Sequence, residues 1–164
     1  MAGALALLLP LVSQAGTDHG LTSCPITKAH YHYSSAPGFG LSFDKVGEFD
    51  GWASDLALKL TPESRPAYWF LFSQGSGSYI HLVSTKNVFA KGWRPPSDAR
   101  SERPLGGMLY FAWSGNYNFD GDSPASTSLA PMRIFLPNLA EVMRYVAEEH
   151  YSLPHGVFVL DRCG

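Results

Sequence analysis

Alternating apolar and polar positions recur along most of this chain, and they predict β-strands. The clearest stretch, Ala67–Ser84, reads AYWFLFSQGSGSYIHLVS. Two runs of aromatic and β-branched residues flank Gln74–Ser78, whose two glycines suit a chain reversal, so the stretch predicts a β-hairpin. Both faces of its first strand, Tyr68–Phe72, are apolar. We therefore expect that strand to be covered on both sides.

Further strands follow from the same pattern on both sides of the hairpin. The predicted strands are Ala29–Tyr33, Leu41–Phe43, Leu56–Leu60, Met108–Phe119 (one strand or a pair), Arg133–Leu136 and Gly156–Leu160. In the first of these, His30 and His32 share one face and the two tyrosines share the other. Turn residues separate the strands, and Pro37–Gly40 is one of the predicted turns.

One stretch has apolar residues at helical spacing instead. It runs from Leu139 to about His150, with Asn138 as a candidate N-cap and Ser152–Pro154 as its stop. We therefore predict an all-β fold, a β-sandwich or a partly open barrel of about six to eight strands, with one C-terminal α-helix. An α+β fold is the alternative.

Composition supports a single β-rich domain over residues 16–164. The chain has 164 residues, of which 45% are hydrophobic and 13% aromatic, so it can bury a core of its own. Its 16 glycines and 12 prolines suit the many turns of a β-fold. The formal net charge of -2, with no run of Lys or Arg, argues against binding to nucleic acid.

The first residues resemble an export signal. Ala2–Val12 is an apolar run shorter than the ~20 residues of a transmembrane helix, and Ser13–Ala15 gives the small-x-small pattern of a cleavage site. We predict a signal peptide over residues 1–15, a secreted or periplasmic protein and no transmembrane segment. A buried N-terminal segment is the alternative.

The two cysteines lie close to the ends of the predicted mature chain. An exported protein with two cysteines is expected to join them, so we predict a disulfide between Cys24 and Cys163. The alternative rests on Leu21–Cys24, which resembles a bacterial lipoprotein box. Lipid would then be attached to Cys24, and Cys163 would remain a reactive thiol.

Three histidines form a candidate transition-metal site. His30 and His32 share one face of a strand, and His81 from another strand could complete a face of three nitrogen ligands. The H-x-H pair resembles the metal-binding histidines of cupin-like jelly rolls, although no Glu follows at the spacing of that motif. The alternative is that these histidines are structural or face solvent.

A second candidate site would bind calcium. Oxygen-bearing side chains alternate before a glycine, an arrangement that resembles the opening of an EF-hand loop. The residues are Asn116, Asn118, Asp120 and Asp122. The twelfth position is Thr127, where an EF-hand has Glu, and a plain turn is the alternative.

A long segment without apolar periodicity, Lys91–Gly107, is a candidate lid or clamp for an anionic ligand. Its candidate ligand-binding residues are Trp93, Arg94, Arg100 and Arg103. A solvated surface loop is the alternative.

Two further groups of residues are candidates for binding or catalysis. The tryptophans Trp52, Trp93 and Trp113 could act as platforms for a sugar or a partner. The acidic residues Asp44, Glu48, Asp50 and Asp55 could supply a pair of carboxylates.

No stretch carries a nucleophile motif or a phosphate-binding loop. We therefore expect an exported, non-catalytic β-rich domain that binds a protein partner or a small ligand. The alternative is a metal-dependent enzyme that uses the three histidines.

Overall fold

A computed structural model describes residues 23–74, 79–115 and 119–164 of the chain. The predicted signal peptide, residues 1–15, lies outside them. The strands are β1 (Ala29–Tyr33), β2 (Ala36–Lys45), β3 (Trp52–Thr61), β4 (Tyr68–Gln74), β5 (Ile80–Thr85), β6 (Gly107–Trp113), β7 (Arg133–Phe135) and β8 (Phe158–Cys163). One α-helix, α1 (Leu139–Tyr145), lies between β7 and β8 in the described part of the chain. This confirms the prediction of an all-β fold with one C-terminal helix.

The eight strands form one antiparallel sheet in chain order, and β8 pairs with β1, so the sheet closes into a barrel. Successive connections alternate between its two ends. The loop 46–51 and the described residues of 114–132 lie at one end with Cys24 and Cys163, which we call the cysteine end. The connection 136–157, which includes α1, lies at the other, which we call the helix end.

Aromatic and branched side chains fill the inside of the barrel. Phe72 of β4 is fully buried and lies between Phe43, 6.3 Å away by ring centroids, and Tyr110, 5.2 Å away. The alternation of β1 is as predicted, because Tyr31 and Tyr33 are buried while the two histidines are half-exposed. The interior is thus a packed core.

The outside of the predicted two-sided strand is also covered. Trp69 and Leu71 of β4 are buried on its outer face, where they pack with Val88. The Trp93 indole N–H donates to Thr85 Oγ1 at 2.9 Å, which fastens segment 86–96 to the barrel wall. The expectation of a strand with two buried faces is confirmed.

The helix is shorter than predicted. It ends at Tyr145, and its buried residues Leu139, Val142 and Met143 belong to the barrel core. Asn138 occupies the N-cap position, but its side chain makes no capping hydrogen bond. Instead, its Oδ1 accepts the Leu109 N–H of β6 at 3.4 Å. The short strand β7 pairs only with residues 111–113 of β6, so Leu109 has no partner on β7.

The predicted turn at Pro37–Gly40 is wrong. These residues belong to β2, and the chain reverses at Ser34–Ser35 instead. Gly40 pairs with His32 of β1 and with Thr61 of β3, so it sits in the middle of the sheet. Gly38 and Gly40 therefore leave the outer face of β2 without side chains at these positions, and they do not form a turn.

The predicted disulfide is present at the cysteine end. Cys24 and Cys163 are bonded, with their Cα atoms 5.7 Å apart. A sulfur atom in this bond cannot also carry a lipid. Next to it, the Ala130 N–H donates to the Cys24 carbonyl, and the Ile26 N–H donates to the Ser128 carbonyl. Among the described residues, none belongs to a helix of the length and hydropathy needed to cross a bilayer.

Candidate functional site

A cleft with a volume of about 760 Å³ opens at the cysteine end. The β2–β3 loop forms one wall, and residues 125–127 of the β6–β7 loop form the other. Its chemically distinctive residues are Lys45, Glu48, Phe49, Asp50, Trp52, Asp55, Ser126 and Thr127. We refer to this feature as the cleft.

Two glycines shape the β2–β3 wall. Gly47 and Gly51 have φ values of 100° and 83°, a left-handed conformation that favours glycine. The Asp55 carbonyl accepts the N–H groups of Val46 and Gly47, and the Trp52 N–H donates to the Phe49 carbonyl. The loop is therefore held by its own backbone, so that its acidic and aromatic side chains line the cleft.

Asp55 joins the two walls of the cleft. Its Oδ1 accepts the Ser126 N–H at 2.8 Å, and its Oδ2 accepts the Ser126 hydroxyl at 2.5 Å. Lys45 Nζ lies 3.5 Å from Oδ2, and the Asp55 side chain is only 12% exposed. Beside this contact, the Ser54 hydroxyl donates to the Pro124 carbonyl. The second wall of the cleft is therefore fixed to β3 through Pro124 and Ser126.

The environment of Asp55 favours its ionised form. Burial by itself raises the pKa of this carboxyl group, but the hydrogen bonds from Ser126 and the nearby charge of Lys45 outweigh burial and leave the pKa below its usual value. A carboxylate that accepts two hydrogen bonds and faces an ammonium group acts as an anchor. It is poorly suited to be a general acid, which needs a raised pKa.

This anchor predicts a specific dependence of stability on pH. Because the pKa of Asp55 is lowered by folding, its contribution is complete above the pKa of an ordinary aspartate, about 3.9, and is lost as pH falls through the lower folded value. We expect Asp55→Asn to lower the free energy of unfolding by about 2 kcal/mol at pH 7. The difference from wild type should shrink below pH ~4. Urea unfolding at both pH values measures it, with the exposed Asp50→Asn as control, and a difference independent of pH would contradict the assignment.

Aromatic rings form the apolar part of the cleft. Phe49 and Trp52 both line it and are half-buried. The ring of Phe49 meets Trp93 edge-to-face at 5.6 Å, and Trp52 packs at the edge of the outer cluster that contains Trp69. Segment 86–96 therefore braces the cleft from outside, which gives Trp93 a supporting position.

The structure does not bring the three predicted metal-binding histidines together. His30 and His32 lie on the outer face of β1, and His81 lies on β5, four strands away around the barrel. His32 Nδ1 is instead 3.6 Å from an oxygen of Asp161. Among the described residues, no group of three or more His, Cys, Asp or Glu side chains is arranged to hold a metal.

The predicted calcium residues lie on the β6–β7 loop. Asn116 and Asn118 fall outside the described residues, while Asp120 and Asp122 are exposed. These two aspartates line a pocket of about 340 Å³ that also contains Tyr110, and partial loss of solvent around its carboxyl group raises the pKa of Asp120. The calcium site remains a prediction.

The structure assembles only part of the predicted arginine clamp. Trp93 and Arg94 line a pocket of about 450 Å³ with Lys86, but Arg100 and Arg103 are not part of its wall. Arg103 Nη2 donates to Asp98 at 2.6 Å within the same segment. Within this segment, Trp93 helps to cover the outer face of the barrel.

The cleft brings together residues from two separate sequence predictions. Trp52 was predicted as an aromatic platform, and Glu48, Asp50 and Asp55 were predicted as a source of paired carboxylates. Ser126 was not predicted as a site residue, because it lies 71 positions from Asp55 and has no motif around it. The only sequence feature that marks this position is a run rich in serine and threonine after Pro124.

Comparisons with protein-family models, curated proteins and solved structures give no match for this chain.

Proposed function

We propose that this domain is a non-catalytic binding module whose ligand is a small neutral or amino sugar held in the cleft. The observation that carries the proposal is that Glu48, Asp50 and Trp52 line the same cleft as Phe49. Carboxylates accept hydrogen bonds from sugar hydroxyls, and aromatic faces pack against the C–H surface of a sugar ring. The cleft offers both kinds of contact.

The charge of the cleft supports this ligand class. Three carboxylates, Glu48, Asp50 and Asp55, line the cleft together with one ammonium group, Lys45. Because Lys45 already lies beside Asp55, the remaining carboxylates present negative charge to a ligand. A neutral polyol or a protonated amine is therefore favoured over a phosphate or an acidic sugar.

The state of Asp55 supports a binding role over glycoside hydrolysis. Hydrolysis needs two carboxyl groups beside the scissile bond, one of them with a raised pKa. The lowered pKa of Asp55 does not suit the role of the acid, and hydrogen bonds to the opposite wall occupy both of its oxygens, which argues against the role of nucleophile or base. The Cys24–Cys163 bond supports the proposal that the domain works outside the cytoplasm, secreted or periplasmic.

Calorimetric titration with glucosamine, N-acetylglucosamine and maltose tests the proposal. We expect at least one sugar to bind, and the double variant Glu48→Gln with Asp50→Asn to weaken binding by roughly tenfold or more, since hydrogen bonds to charged groups contribute about 1.5–3 kcal/mol. Both side chains are exposed, so the variant should fold.

The matched control is Glu141→Gln on α1, an exposed carboxylate at the helix end. It should bind sugar as the wild type does. Absence of binding to every sugar, or equal binding by the cleft variant, would overturn the proposal.

A further inference from the structure

A second polar depression runs along the outer face of β2, on the wall of the barrel and apart from the cleft. It has a volume of about 350 Å³. Its floor is Gly40 and Ser42, whose neighbours across the sheet are His32 and His30 on β1 and Thr61 and Lys59 on β3. We call this feature the groove.

The groove exists because β2 presents small residues outward. Its inward residues, such as Phe39 and Leu41, are buried, while Gly40 and Ser42 face out. Adjacent strands lie about 4.8 Å apart, so the side chains of β1 and β3 stand about 10 Å apart across the floor. That width accommodates a group the size of a carboxylate or sulfate.

The walls of the groove are rich in hydrogen-bond donors. Arg162 is a cation, each imidazole of His30 and His32 carries at least one N–H in either protonation state, and Thr61 adds a hydroxyl. Lys59 also lines the groove, although its ammonium lies over the Trp69 ring of β4, 5.3 Å from the ring centroid. Arg162 enters the groove because β8 pairs it directly with His30. The side chains therefore match a ligand group that only accepts hydrogen bonds.

A bulge places one carboxylate among these donors. The β1–β8 pairing shifts between His30 and Tyr31, which leaves Asp161 without a direct partner on β1 and brings its carboxylate to His32. Further along β2, Asp44 faces outward beyond Ser42, and the Glu63 side chain lies over Gly38. Acidic groups thus bound the groove at both ends, which limits it to one anionic group and disfavours an extended polyanion.

We propose that the groove binds a single oxyanion group, a carboxylate, sulfate or phosphate, between Arg162, Thr61 and the His30–His32 pair. This site is independent of the sugar cleft, because the two share no lining residue. It gives the two histidines of β1 a role in which His81 has no part.

Titration of the oxidised protein with sodium sulfate, at fixed pH and with ionic strength held constant by chloride, tests the proposal by NMR. We expect saturable shifts of the His30 and His32 ring signals and of the Gly40 and Ser42 amides. Arg162→Gln should weaken sulfate binding about tenfold, since it removes a charged donor. Parallel titrations with acetate and methyl phosphate show whether a planar or a tetrahedral oxyanion fits better.

Gly40→Leu gives the sharpest variant. A Cβ at Gly40 would meet the carbonyl oxygens of Tyr31 and Thr61 at 3.6 and 3.9 Å, ordinary contact distances, so the larger side chain can be built and fills the groove. Saturable sulfate binding should be lost, whereas Arg144→Gln on α1 should leave it unchanged. If Gly40→Leu does not fold, Ser42→Leu serves the same purpose.

Linear shifts that never saturate with any of the three anions, or saturable shifts that survive filling of the groove, would overturn the proposal. A loss of sulfate binding together with unchanged sugar binding would support it. Either result leaves the sugar proposal to be judged by its own titration.

Discussion

Reduction of the Cys24–Cys163 disulfide is expected to lower the free energy of unfolding by about 5 kcal/mol. The bond joins residues 139 positions apart, so it closes nearly the whole described chain into one loop. On the chain-entropy model, a longer closed loop restricts the unfolded chain more, so a separation of 139 residues gives a large effect.

Urea unfolding of the oxidised and reduced protein measures this effect. The variant with Cys24→Ala and Cys163→Ala should match the reduced protein and should not respond to reductant. A difference below about 1 kcal/mol would show that the unfolded chain gains little freedom when the bond is broken, contrary to the expectation.

The bond should also affect the cleft. Cys24 holds the β6–β7 loop through its carbonyl, which accepts the Ala130 N–H. The same loop carries Ser126, which bonds Asp55 across the cleft. We therefore expect the double alanine variant to bind sugar more weakly than the oxidised protein even under conditions in which both are folded.

Phe72→Ala is expected to lower the free energy of unfolding by about 3–5 kcal/mol, the usual loss for truncation of a buried phenylalanine. Phe72 is fully buried between Phe43 and Tyr110 in the middle of the barrel. Removing its ring leaves a cavity that the neighbouring strands cannot close without breaking their register.

Two variants control this prediction. Phe89→Ala removes the same ring from the outer surface, where it is 64% exposed, and should have a much smaller effect. Tyr110→Phe should leave the stability unchanged or raise it, because the Tyr110 hydroxyl is buried and has no hydrogen-bond partner among the described residues. Equal losses for Phe72→Ala and Phe89→Ala would contradict a packed barrel interior.

Alternation along the chain was sufficient to predict most strands and their buried faces. In β1, the tyrosines point inward and the histidines outward, as a period of two requires. In β4, the second apolar face finds its cover in segment 86–96. The strands and their buried faces were predictable because alternation depends on neighbours in sequence, whereas the identity of the segment that covers β4 does not.

The turn at Pro37–Gly40 was mispredicted because glycine and proline are ambiguous. A Pro-Gly pair is a turn signal when nothing else is known. Here the strand β2 needs small outward residues, since Glu63 lies over Gly38 and His32 and Thr61 flank Gly40. Whether these residues form a turn or a strand depends on pairing with residues distant in sequence, such as Thr61 of β3.

The candidate site was predictable in part. Acidic residues between Asp44 and Asp55 and the tryptophan Trp52 were recognisable as chemistry-bearing residues. Their shared cleft was not, because its second wall comes from Ser126 and Thr127, which closure of the barrel brings to the same end. The three histidines remained a candidate metal site from sequence, because only the strand order shows that His81 lies on the opposite side of the barrel from His30 and His32.

Mapping of backbone amide shifts by NMR tests most directly the claim that a sugar binds in the cleft at the cysteine end. Titration with the tightest-binding sugar from calorimetry should move amides in residues 45–55 and 125–127 and leave those of α1 at the helix end unmoved. Shifts confined to the helix end, or to the groove on β2, would contradict the claim.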